Sequence, residues 1–123
     1  MADLLYGDIT ESILGAAYEV HSKIGPGMIE AVDETALAYE LRLRGLTVAR
    51  QVKFAVPYKE IVAGEFFVDL LVDGKVIVEL KATSLHNKVF EVQTVYYLKA
   101  SGIKVGLLLN FGMESLFRKR FVD

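Results

Sequence analysis

The stretch that decides the fold is FFVDLLVDGKVIVELK, residues 66–81. Two runs rich in β-branched and apolar residues flank Asp73-Gly74, so the stretch reads as a β-hairpin. The length of its loop matters, because side chains alternate along a strand and a one-residue change flips them. A two-residue turn at Asp73-Gly74 would put Asp69 and Glu79 on opposite faces. An odd-length loop, such as three residues with Gly in the left-handed region, changes the parity. Val68, Leu70, Val76, Val78 and Leu80 then share one apolar face, and Phe67, Asp69, Leu71, Ile77, Glu79 and Lys81 share the other. The odd loop sorts every polar residue onto one side and is the preferred reading.

Its consequence is chemical. Two carboxylates and an ammonium among Phe67, Leu71 and Ile77 are costly unless compensated. One compensation is an ion pair of Lys81 with Glu79 or Asp69. The other is a divalent cation held by Asp69 and Glu79. Two hard oxygen ligands, the Leu80 carbonyl and water suit Mg2+ or Mn2+. Lys81 beside such an ion would orient or deprotonate a water and stabilise charge in a phosphorane-like transition state.

Outward from the hairpin, residues 9–24 show helical spacing, with Thr10 or Asp8 as candidate N-cap, and Gly25-Pro26-Gly27 ends the helix. Residues 28–44 read as a second helix closed by Gly45, and residues 46–58 as a strand bent near Pro57. Residues 86–101 return to helical spacing, 103–110 read as a buried strand, and 115–122 as an edge strand protected by its RKR run. The order is ααβββαββ, an α/β or α+β fold with a mixed sheet. In the second helix Glu30, Glu34, Leu37 and Leu41 lie on one stripe. A glutamate there is either the exposed first turn, favoured by the helix dipole, or a group aimed at the hairpin. In the third helix Gln93 shares a stripe with Val89, Tyr96 and Ala100. It is either a satisfied core amide or, with Tyr96 or Tyr97, a contact to substrate or attacking water.

At 123 residues the chain is one domain's worth, and 53% apolar content excludes a disordered chain. The absence of cysteine excludes disulfides, thiolate zinc sites, thiol catalysis and iron–sulfur clusters. Only two histidines are present, so a histidine-rich metal site is not expected. No apolar run approaches the ~20 residues of a membrane span, and MADLLYGDIT lacks a signal pattern. A soluble cytoplasmic protein is expected. The net charge of −2 hides an asymmetry: residues 1–40 hold eight acids and one base, residues 41–123 eight acids and thirteen bases. This is either ordinary solvated surface or a basic face for phosphates; Arg42, Arg44, Arg50, Lys53, Lys88, Lys99 and Lys104 are candidate backbone contacts.

The sequence resembles the small GxxExxY proteins of the PD-(D/E)XK nuclease-like superfamily over nearly its whole length. The resemblance is carried by Gly25-Pro26-Gly27-Met28-Ile29-Glu30, Ala36-Leu37-Ala38-Tyr39-Glu40-Leu41, Val68-Asp69-Leu70, Val78-Glu79-Leu80-Lys81-Ala82, Gln93 with Tyr97-Leu98, and Gly106-Leu107-Leu108-Leu109-Asn110-Phe111-Gly112. It implies a single nuclease-like domain over residues 1–123: a restriction-endonuclease-like core whose mixed central sheet is flanked by helices. It implies that Asp69, Glu79 and Lys81 are the hallmark residues, with Glu30 as a direct or water-mediated metal ligand and Gln93 as the helical glutamine. Two departures stand out: Asp33 replaces the tyrosine of the family's name, and Val68 the proline that often precedes the first acid. The resulting expectation is a Mg2+- or Mn2+-dependent nuclease, with DNA ahead of RNA as substrate. The alternative is a degenerate nuclease-fold module that binds nucleic acid or a protein. A junction resolvase would require a homodimer, through an edge strand or helices.

Overall fold

The computed structural model describes residues 4–123, so the N-terminal reading above lies partly outside the described residues. The elements are α1 (Gly7–Ile24), α2 (Glu30–Leu43), β1 (Val48–Tyr58), β2 (Ile61–Val72), β3 (Val76–Lys81), α3 (Lys88–Ser101), β4 (Val105–Asn110) and β5 (Phe117–Val122). Among the described residues, three helices and one five-stranded sheet thus follow the order ααβββαββ, the α/β architecture that the resemblance implies. The strands lie in sequence order. All neighbours are antiparallel except β3 and β4, which run parallel because α3 carries the chain back between them. β5 is an edge strand, and among the described residues no helix is long and apolar enough to cross a membrane.

Each sheet face has its own core. Leu70, Val72, Val76, Val78, Leu80, Val105, Leu107 and Leu109 pack against Ile13, Ala17, Leu37 and Leu41 of α1 and α2. On the other face Phe66, Val68 and Ile77 pack with Leu98 and Tyr97 of α3. Residues 105–110 of β4 are buried throughout, as expected for a central strand covered on both faces.

The hairpin loop is odd. Leu70, Leu71 and Val72 pair with Val78, Ile77 and Val76, leaving Asp73, Gly74 and Lys75 as the loop. Asp73 and Gly74 both have left-handed φ, 52° and 66°. The Asp73 carboxylate accepts from the Thr47 amide at 2.8 Å, a long-range bond that secures the loop against the entry to β1.

Two expectations are corrected. Val68 does not share a face with Leu70, because the alternation slips by one residue at Asp69. Its β1 neighbour Gln51 slips too: Arg50 pairs with Leu70 and Val52 with Val68, while Gln51 has φ 50°. A left-handed non-glycine residue costs about 1–2 kcal/mol. It rotates both strands so that Arg50 meets α2 while Val52, Phe54 and Val56 join the α3 core. The N-cap reading of α1 also fails: the helix begins at Gly7 behind Tyr6, with no side-chain cap. Thr10 instead bonds back to the Gly7 carbonyl, and Arg120 from β5 donates to it. Beyond the bend between Val56 and Pro57, β1 ends at Tyr58, and after a tight turn at Lys59 the strand β2 begins at Ile61, four residues earlier than periodicity indicates.

Candidate active site

The β2–β3 ladder stops at Leu70 and Val78, and past it the two strands part. Their carboxylates fill the opening reciprocally. The Asp69 amide donates to Glu79 Oε2 at 2.7 Å, and the Leu80 amide donates to Asp69 Oδ2 at 2.8 Å. Side chains thus replace the backbone acceptors that continued pairing would supply. A strand residue's N–H and C=O point to the same side, so the Leu80 carbonyl faces this opening as well.

Lys81, on the α3 side, donates to Gln93 Oε1 at 3.1 Å, and its ammonium lies 4.8 Å from the Phe90 ring centre. No carboxylate among the described residues lies within ion-pair distance of it, so the simple Lys81 ion pair is not what compensates the acids. Phe90 is itself placed by its neighbour. Glu91 accepts from Lys119 of β5 at 2.6 Å and meets His86 Nε2 at 2.7 Å. These bonds hold the Glu91 carboxyl down at about 2 and tie the first turn of α3 to β5. Tyr97, not Tyr96, reaches the site from α3. It stacks on Phe66 with ring centres 4.4 Å apart, and burial together with nearby Glu79 and Asp69 raises its hydroxyl pKa.

Glu30 opens α2 at the same end of the sheet. Burial raises its carboxyl pKa, Asp69 raises it further, and Lys81 opposes. Burial likewise raises Asp69, against the bonds from Leu80 and Gln51. Glu79 is pushed up to about 8, first by burial and then by Asp69. Three acids and one lysine thus share a partly buried region. Among the described residues no three His, Cys, Asp or Glu side chains are already drawn together to hold an ion. The donor set nevertheless fits a hard divalent cation. Each carboxylate oxygen has a second lone pair, and Glu79 Oε1 has no bond and is not sealed from solvent among the described residues.

The raised Glu79 carboxyl gives a pH test. Its neutral form is favoured in the fold, so its stabilisation is complete below its ordinary value of 4.5 and is lost as pH rises through about 8. We expect the Tm of the metal-free chain to fall by roughly 10 °C from pH 5 to 9. In Glu79→Gln melts over the same range, most of that slope should vanish.

Some residues lay outside the sequence reading. Gln51 Nε2 donates to both Glu34 Oε1 and Asp69 Oδ1. Its signal was the polar pair Arg50-Gln51 interrupting a two-residue period. Asn110 and Gly112 secure the chain just after Lys81. Asn110 Oδ1 accepts from the Thr83 and Gly112 amides, its Nδ2 donates to Thr83 Oγ1, and the Phe111 amide donates to the Lys81 carbonyl.

Asp33 sits apart, with both carboxylate oxygens buried and without a hydrogen-bond partner among the described residues. Burial raises its pKa and His21 opposes. An unpaired buried charge outweighs the ~0.3–1 kcal/mol that an acid gains near a helix N-terminus. Asp33→Asn is therefore expected to stabilise the chain by about 1 kcal/mol at pH 7, read as a higher urea midpoint with unchanged m-value.

The candidate phosphate contacts are largely engaged. Arg44 pairs with Glu40, Arg50 with Glu34, Lys53 with Glu65 and Lys88 with Glu91, and Arg42 donates to the Val48 carbonyl. Lys99 and Lys104 form no ion pair with the described residues.

The family model of the PD-(D/E)XK nuclease superfamily matches residues 7–121. The solved structure "Crystal structure of SSO0001" is similar, with TM-score 0.48 and 11% identity, over 94% of this chain and 65% of that one. This chain therefore spans just under two thirds of the length of that structure's chain. A comparison with curated proteins gives no match.

Proposed function

Because the chain belongs to the PD-(D/E)XK nuclease superfamily, we propose that it is a metal-dependent nuclease that hydrolyses phosphodiester bonds in DNA. The observation that carries this is the pairing of Asp69 and Glu79 where β2 and β3 part, beside a lysine bound to Gln93 rather than to either acid. Asp69 and Glu79 would hold Mg2+ or Mn2+, with Glu30 brought in from α2. Bound there, the cation would acidify a water and offset charge at phosphorus.

The chain's own groups have separable tasks. Lys81, fixed by Gln93 and Phe90, presents N–H groups to the attacking oxygen or to a non-bridging phosphate oxygen. Gln93 orients Lys81, and its amide N–H groups remain available to a water or phosphate. The lack of a carboxylate partner leaves the Lys81 charge available to the phosphate. The motif pattern supports placement among GxxExxY-type members, with Asp33 as the departure, and the reading is of a cytoplasmic enzyme.

One observation favours a second reading. With both acids bonded to backbone amides and no gathered trio of ligands among the described residues, the fold could serve as a noncatalytic nucleic-acid-binding module. The purified chain should be incubated with supercoiled plasmid, branched DNA or single-stranded RNA, with Mn2+ or with EDTA. Nicking of DNA that EDTA suppresses is expected. Binding of Mn2+ without cleavage of any substrate would favour the module. A solution mass then decides whether two chains act together, as junction cleavage requires.

A further inference from the structure

We infer that Gln51 is a positioning residue that sets the Asp69 carboxylate for a divalent cation, with Glu34 and Arg50 holding Gln51 in turn; this rests on the metal-dependent reading above. Gln51 Nε2 lies 2.7 Å from Glu34 Oε1 and 3.2 Å from Asp69 Oδ1. An amide nitrogen carries two hydrogens, so both bonds can form together. The acceptors are like-charged groups that would otherwise repel, and an uncharged donor between them fixes their spacing.

The far end of this chain is anchored. Glu34 is buried, and its Oε2 lies 3.1 Å from Arg50 Nε and 3.0 Å from the terminal guanidinium nitrogen. Arg50 also donates to Thr35 Oγ1 at 2.9 Å, so its guanidinium is tied to α2 twice. At the near end, Gln51 takes Oδ1 of Asp69 while the Leu80 amide takes Oδ2. Both oxygens are thus held, which fixes the plane of the carboxylate and the direction of its free lone pairs.

The backbone points the same way. Gln51 has φ 50°, a region where glycine is at ease and other residues are strained. A glycine would make the same strand rotation without strain, yet would supply no amide to Asp69. The strained glutamine is accounted for by what its side chain does. Partners of metal ligands orient them, and removing such partners weakens metal binding.

The test uses the full chain and Gln51→Gly, with Gln51→Asn as the second variant. Gly removes the amide and relieves the strain; Asn tolerates a left-handed backbone but is too short to reach both acids. Three quantities are read: Tm in EDTA, Mn2+ affinity by calorimetry, and plasmid nicking across a Mn2+ series. We expect an unchanged or higher Tm in EDTA for Gln51→Gly and ~10–100-fold weaker Mn2+ binding for both variants. Nicking should recover as Mn2+ is raised. Wild-type Mn2+ affinity in a folded variant would overturn this role and leave the nuclease reading standing. A wild-type chain that binds no Mn2+ would overturn both.

Discussion

Glu79→Gln is expected to reduce Mn2+-dependent DNA cleavage by at least ~10²-fold while making the metal-free protein more stable at pH 8. The two effects have one cause. The wild-type carboxyl is buried beside Asp69, and its pKa is pushed up to about 8, so ionising it works against the fold. Glutamine keeps the size, and its amide oxygen can still accept from the Asp69 N–H, the bond that Glu79 Oε2 makes at 2.7 Å. What it lacks is the negative charge that a cation needs. A residue that served only structure would lose stability on substitution. A gain in Tm with a loss of cleavage is the signature of a group kept for chemistry at the expense of the fold. Cleavage within a few-fold of wild type, measured by single-turnover nicking, would remove Glu79 from the mechanism.

Gly112→Ala is expected to be the most disruptive single methyl group in the chain, destabilising by ~3 kcal/mol or more. A Cβ at residue 112 would come closer than 3.0 Å to the Thr83 N, Ala82 C and Thr83 O atoms. All three belong to backbone, which cannot swing aside like the end of a flexible side chain. The same contact is bracketed by the Asn110 bonds to Thr83 and Gly112 and by the Phe111 amide on the Lys81 carbonyl. Relief would require moving the chain immediately after Lys81, so any protein that folds should also cleave poorly. Thermal melts with a Tm within 2–3 °C of wild type would contradict this account of the close approach, since ~1 kcal/mol already shifts Tm by several degrees at this size. Ala at Gly64 is the control, because a Cβ there meets nothing within 4 Å.

The hairpin was legible because parity is a strong constraint. Gathering the polar residues of the hairpin onto one face calls for an odd loop, and the loop has three residues. Element order was legible for a similar reason: glycine breaks and changes of period separate the segments cleanly. The slip at Gln51 and Asp69 was not legible, because periodicity presumes an unbroken pleat. The rotation that sends Val68 to the α3 core comes from one left-handed residue opposite the point where two strands part. Helical spacing leaves Gln93 open between a core amide and a contact to the polar face, and it groups Gln93 with Val89 and Tyr96 on a stripe that the structure does not bury. Val89 and Tyr96 are exposed, and Gln93 contacts Lys81 from the flank rather than from a core row. Asn110 and Gly112 carried part of the family resemblance, yet their role as a clamp on Thr83 depends on contacts 27 residues apart that no local pattern encodes.

The most direct measurement is a crystal of the protein soaked in Mn2+, with anomalous difference density calculated near the metal edge. A peak is expected in the opening between β2 and β3, within bonding distance of one Asp69 oxygen and one Glu79 oxygen, with Lys81 alongside but not ligating. A crystal saturated with Mn2+ whose only peaks lie elsewhere, with Asp69 still bonded to the Leu80 amide and Glu79 to the Asp69 amide, would contradict it.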